Sequence, residues 1–113
     1  MALELEMKKL NDAPVLAVAG RIVDIDVKKF AAKLQSVCKG KTQRVIVDMS
    51  QVNFIDSHGL GNLVYFHTLL KKENRELIVL NTNQDPNSYV RRLFEMTNLN
   101  KVITIVGSAE ELQ

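Results

Sequence analysis

The sequence predicts an α/β domain built on a mostly parallel, mixed sheet, and three observations carry that expectation. Short apolar runs alternate with stretches of helical spacing, the pattern of strands joined by right-handed crossover helices. The first run instead alternates apolar with charged residues, as a strand with one wet face does. No linker, repeat or low-complexity tract interrupts the 113 residues. The whole chain, 1–113, therefore reads as one domain of about five strands, the first antiparallel, with about four flanking helices.

Leu3, Leu5 and Met7 alternate with Glu4, Glu6 and Lys8, which predicts a half-exposed edge strand. Asn11, Asp12 and Pro14 break it as a turn does. Val15 to Ala19 is continuously apolar and reads as a strand covered on both faces. The two runs are close enough to form an antiparallel hairpin. Beyond Gly20 the spacing of Val27, Phe30, Ala31, Leu34, Val37 and Cys38 is helical. Asp24 or Asp26 is available as its cap and Gly40 as its stop. Val45 to Val47 reads as the third strand. A second helix opens at Ser57 and places Leu60, Leu63, Val64 and Leu70 on one side, with Asn74 suited to a left-handed stop. Leu77 to Leu80 is a buried strand. Asp85-Pro86 opens a third helix with Val90, Leu93 and Phe94 inward, ended by Asn98. Val102 to Val106 is the last strand, and Ser108 with Glu111 has the spacing of a capping box over a short final helix. Cys38 is expected in the core and Met96 in packing.

Composition excludes several classes of function. Hydrophobic residues are 46% and charged residues 25%, the balance of a folded globular protein. A net charge of +2, with its basic residues scattered, offers no nucleic-acid face. The single cysteine cannot form an internal disulfide, excludes zinc held by a cysteine pair, and fits a reducing compartment. The first ten residues lack the apolar block of a signal peptide, and no run approaches a membrane span. The expectation is a cytoplasmic protein with no membrane insertion and no cofactor.

Chemistry concentrates in Phe54-Ile55-Asp56-Ser57-His58-Gly59-Leu60-Gly61. Asp56 follows an extended apolar pair and precedes helical periodicity, so its carboxylate can accept the orphan N–H groups of the first turn. Ser57 then falls at the first helical position. A phosphate there would sit at the positive end of the helix and would add a charge of about −1.5 to −2 to a small, apolar patch. Glycine inside a helix costs up to about 1 kcal/mol against alanine, so Gly59 and Gly61 imply close approach by another backbone, internal or a partner's. Asp56, Ser57 and His58 contain the letters of a hydrolase triad. Neighbours on a helix, however, point about 100° apart and cannot align nucleophile, base and orienter. His67 is too far along the same helix to help. The chain is not expected to be an enzyme.

Asp48-Met49-Ser50, Phe54-Ile55-Asp56-Ser57 and Gly59-Leu60-Gly61 resemble the core motif of STAS domains of the bacterial anti-sigma factor antagonist type. Gly20-Arg21-Ile22 and Val90 to Leu99 resemble that family's glycine-led segment and late helix. The resemblance implies a module that binds an anti-sigma factor with serine kinase activity and frees a sigma factor. It also implies that the kinase inactivates the module by phosphorylating the serine after the motif's aspartate, here Ser57 after Asp56, and that a serine phosphatase reverses this. The partner-binding residues so implied are Asp24, Asp56, Ser57, His58, Gly59, Leu60 and Gly61. His58 stands where the family usually has a smaller residue, and Val23-Asp24 departs from the usual spacing of its acidic residue. The alternative is an adaptor subunit of a signalling assembly or transport system whose serine is not modified.

Overall fold

The structure, a computed structural model, describes residues 2–112; residues 1 and 113 lie outside it. Strands β1 (Glu4–Leu10) and β2 (Ala13–Ile22) form the expected hairpin. Then follow α1 (Ile25–Cys38), β3 (Arg44–Ile55), α2 (Ser57–Lys72), β4 (Glu76–Leu80), α3 (Tyr89–Met96) and β5 (Thr104–Val106). The five strands lie in the order β1-β2-β3-β4-β5. β1 is antiparallel to β2, and every later pair is parallel.

The side-chain period of two explains how the apolar runs are used. Leu16, Val45, Val47, Leu77 and Val79 point to one face, where Phe30 of α1, Leu63 of α2 and Phe94 of α3 join them in a single cluster. Their neighbours Val15, Ile46, Ile78, Leu80 and Val106 form a smaller cluster that Leu112 closes. All three α-helices feed the first cluster. Ala17 and Ala19, on the second face, are only half-buried, so β2 is less fully covered than its continuous apolar run suggests.

Several expectations need correction. β3 is far longer than Val45 to Val47, because Met49, Val52 and Ile55 continue into the core. It keeps its pairing with β2 through two register shifts, between Ala17 and Ala19 and between Gly20 and Arg21. At Gly20, φ is +97° and an added Cβ would lie 2.5 Å from the Ala2 carbonyl oxygen, which explains a glycine there. α3 starts at Tyr89, not at Asp85-Pro86. Asp85 closes a turn by accepting from the Asn87 N–H at 2.9 Å, and Ser88 is the cap, accepting from the Arg91 N–H at 3.3 Å.

β5 is shorter than Val102 to Val106 because a 3₁₀ turn at Leu99–Lys101 precedes it and leaves Val102 exposed. The final helix is a 3₁₀ turn, Ala109–Leu112, so among the described residues three α-helices flank the sheet rather than four. Half of its capping box is present: Glu111 Oε2 accepts from the N–H groups of Gly107 at 2.7 Å and Ser108 at 3.0 Å. Met96, expected in packing, is 77% exposed. Cys38 sits at the core's margin, where burial pushes its thiol up to about 11 against the lowering influence of Arg75.

Candidate functional site

The carboxyl ends of β2 and β3 meet the amino end of α2, and backbone bonds fix the junction. The Asp56 N–H donates to the Ile22 carbonyl at 3.0 Å, and the Leu60 N–H donates to the Asp56 carbonyl at 3.0 Å, opening the helix. Asp56 is the cap that its sequence context predicts: it is extended, at φ −83° and ψ 177°, and Oδ1 accepts from the Gly59 N–H at 2.9 Å. Ser57 is thereby relieved of capping and stands exposed as the first residue of α2.

The second carboxylate oxygen of Asp56 reaches across to the other candidate acid. It accepts from the Asp24 N–H at 3.2 Å. Asp24 has φ 52° and ψ −123°, a conformation rare outside glycine, and its side chain makes no capping bond to α1. Asp24 is therefore tied to the Asp56–Ser57 corner by its own backbone, with its side chain exposed. The Gly59 hydrogen bond holds the Asp56 carboxyl below the usual Asp range, with Asp24 and His58 adding to the effect and burial opposing it.

The two glycines have different uses. A Cβ on Gly59 would lie 2.7 Å from Ile55 Cγ1 and 2.9 Å from Ile22 Cγ2, so the close approach is internal and comes from two side chains at the strand ends, not from the backbone the sequence led us to expect. A Cβ on Gly61 would meet nothing within 4 Å, so that side of the first turns is open. His58 is exposed, and its carbonyl accepts from Asn62 Nδ2 at 3.0 Å. Leu60 is half-buried against the core. The structure thus brings Asp24, Asp56, Ser57, His58 and Gly61 to one surface corner, while Gly59 acts from beneath and Leu60 lies at the margin.

Sequence reasoning missed what braces this corner. Tyr89 Oη accepts from the Ile55 N–H and donates to the Ile55 carbonyl, each at 3.2 Å, and so holds the last residue of β3. The Tyr89 and Phe54 ring centroids are 5.7 Å apart, and the Arg21 guanidinium lies 4.8 Å over the Phe54 ring. Arg21 and Phe54 are register partners across β2 and β3, a neighbour relation that spacing along one chain cannot display. Asp48 and Ser50 act further off. Asp48 Oδ1 accepts from the Ser50 N–H and hydroxyl, and Ser50 Oγ accepts from the Thr82 N–H at 2.9 Å, tying β3 to the loop after β4. Among the described residues no cluster of His, Cys, Asp and Glu could hold a metal ion, and no helix is long and apolar enough to cross a membrane.

The family model described as STAS domain matches residues 4–112. An anti-sigma factor antagonist from Mycobacterium paratuberculosis shares the fold with a TM-score of 0.80 at 21% identity, over 97% of this chain and 90% of its own. A putative anti-sigma factor antagonist from Thermotoga maritima gives 0.81 at 19% identity, over 96% and 90%. The phosphorylated form of the Bacillus cell fate determinant SpoIIAA gives 0.67 at 21% identity, over 98% and 96%.

Proposed function

The chain belongs to the STAS domain family, and from that premise we propose that it is an anti-sigma factor antagonist whose partner binding is switched by phosphorylation of Ser57. Unmodified, it binds an anti-sigma factor that is also a serine kinase, and so frees a sigma factor for transcription. Phosphorylation by that kinase ends the binding, and a serine phosphatase restores it. The protein acts in the bacterial cytoplasm by docking, without catalysis, cofactor or direct contact with nucleic acid.

The observation that supports this reading is the exposed Ser57 at the amino end of α2, with capping delegated to Asp56. A kinase can reach that hydroxyl without unfolding the helix. The added dianion would face the positive helix end, which favours it, and the carboxylate of Asp56, which opposes it. The fold then changes little, while a docking corner made of Asp24, Asp56, Ser57, His58 and Gly61 gains a strongly hydrated charge. The anti-sigma factor antagonist from Mycobacterium paratuberculosis and the putative one from Thermotoga maritima, which share the fold, fit the same reading.

Incubation with serine kinases from the same cell, followed by mass spectrometry of the Ser57 peptide, tests it. One kinase should modify Ser57, bind the Ser57→Ala protein without modifying it, and lose affinity for Ser57→Asp. If Ser57→Ala and Ser57→Asp bind that kinase equally, the switch is wrong. The competing reading is an adaptor whose serine is never modified, and it draws on His58, an exposed and bulky residue beside Ser57. A Ser57 peptide that stays unmodified in every growth state would favour the adaptor.

A further inference from the structure

β1 is the outermost strand of the sheet, and an edge strand presents a row of unpaired N–H and C=O groups. We propose that this edge is a self-association surface, on which β1 of a second copy pairs antiparallel about a two-fold axis through Met7. Charges on an edge strand ordinarily ward off pairing. Here their order matters: Glu4 and Glu6 precede Met7, and Lys8 and Lys9 follow it. A strand acidic in its first half and basic in its second is complementary to its own antiparallel copy.

The register follows from symmetry. β1 runs from Glu4 to Leu10, so Met7 is its midpoint, and a two-fold axis there engages all seven residues. Glu6 then faces Lys8 of the second copy, and Lys8 faces its Glu6. Leu5 lies opposite the aliphatic stem of Lys9, and Met7 lies opposite Met7. The neighbouring registers that keep the sheet faces aligned are worse. An axis through Glu6 sets Glu6 against itself, one through Lys8 sets Lys8 against itself, and one through Leu5 sets Glu4 against Glu6 twice. Only the Met7 axis has two opposite-charge pairs and no like-charge pair. Met7, 41% exposed, would be covered by its own symmetry mate. The closed two-fold contact would join two sheets edge to edge. Ser57 follows β3 and Asp24 follows β2, so no residue of the docking corner lies on β1 itself.

A charge-swap cycle followed by sedimentation equilibrium at low salt tests the proposal. The wild-type chain should reach a monomer–dimer equilibrium. Glu6→Lys sets a new lysine against Lys8 of the second copy, and Lys8→Glu sets a new glutamate against its Glu6. Each should raise the dimer's Kd by roughly tenfold to a hundredfold. An equimolar mixture of the two single variants should associate again, because both cross-pairs become Lys–Glu, and the double variant should behave like the wild type. Glu6 and Lys8 are exposed, and an unchanged circular dichroism spectrum confirms that each variant is folded. A wild-type protein that stays monomeric overturns the proposal. So do single variants that dimerise as well as the wild type, or a mixture that does not recover.

Discussion

Alanine at the two glycines of α2 should have opposite effects, and the packing around each gives the size. At Gly59 the added methyl would sit 2.7 Å from Ile55 Cγ1, 2.9 Å from Ile22 Cγ2 and 3.1 Å from Ile55 Cδ1. Ile22 and Ile55 are enclosed, at 0% and 4% exposure, so neither can swing clear. Forcing a methyl into such a place costs about 1–3 kcal/mol. The better helix propensity of alanine returns less than about 1 kcal/mol, and Gly59→Ala should be destabilised by about 1–2 kcal/mol. At Gly61 nothing lies within 4 Å, so Gly61→Ala keeps the propensity gain and should be stabilised by up to about 1 kcal/mol. Urea denaturation followed by circular dichroism reads both. With m near about 1–3 kcal/mol/M, the two midpoints should differ by about 1 M at unchanged m. The reasoning fails if both variants move the midpoint in the same direction, or if Gly61→Ala is the less stable of the two. Under the docking account, Gly61→Ala should also weaken kinase binding although its fold is firmer.

Other perturbations probe the rest of the corner. Asp56 has its pKa lowered by folding, so its contribution to stability is present above the ordinary Asp range and fades as pH falls through the depressed value. Asp56→Asn keeps a good cap and should match the wild type near neutrality, yet lose this part of the acid-induced slope in denaturation scans from about pH 7 down. Asp24→Gly relieves a positive φ and should raise stability by about 1 kcal/mol in urea denaturation. The same change removes the exposed carboxylate and should weaken kinase binding. The Cys38 thiol, raised to about 11, should react with iodoacetamide much more slowly at about pH 8 than a free cysteine, with the rate still climbing toward pH 11.

The fold was legible where one chain segment carries its own signal. The alternation of β1, the helical spacing of α1 and the cap at Asp56 each depend on neighbours within a few residues. What stayed hidden depends on partners distant in sequence. β3 looks finished at Val47, because Asp48 and Ser50 are polar. Asp48 in fact bonds Ser50, Ser50 reaches Thr82, and the strand runs on to Ile55. Asp85-Pro86 carries a good helix-start signal, but the turn it makes ends at Ser88, whose hydroxyl takes over the cap. The candidate site divides in the same way. Asp56 and Ser57 were readable from local spacing. The bond from the Asp24 N–H to Asp56 joins residues 32 apart, and the hold of Tyr89 on Ile55 joins residues 34 apart. Neither has a periodic signature. Gly59 and Gly61 look alike in the sequence and differ only in what surrounds them.

The most direct test compares the affinity of the kinase for two preparations of the chain that differ by one phosphate on Ser57. Isothermal titration should show firm binding of the unmodified protein and a large loss for the phosphorylated one, with both equally stable to urea. Equal affinities, or a modified protein that has simply unfolded, would contradict a switch made by charge at an intact surface.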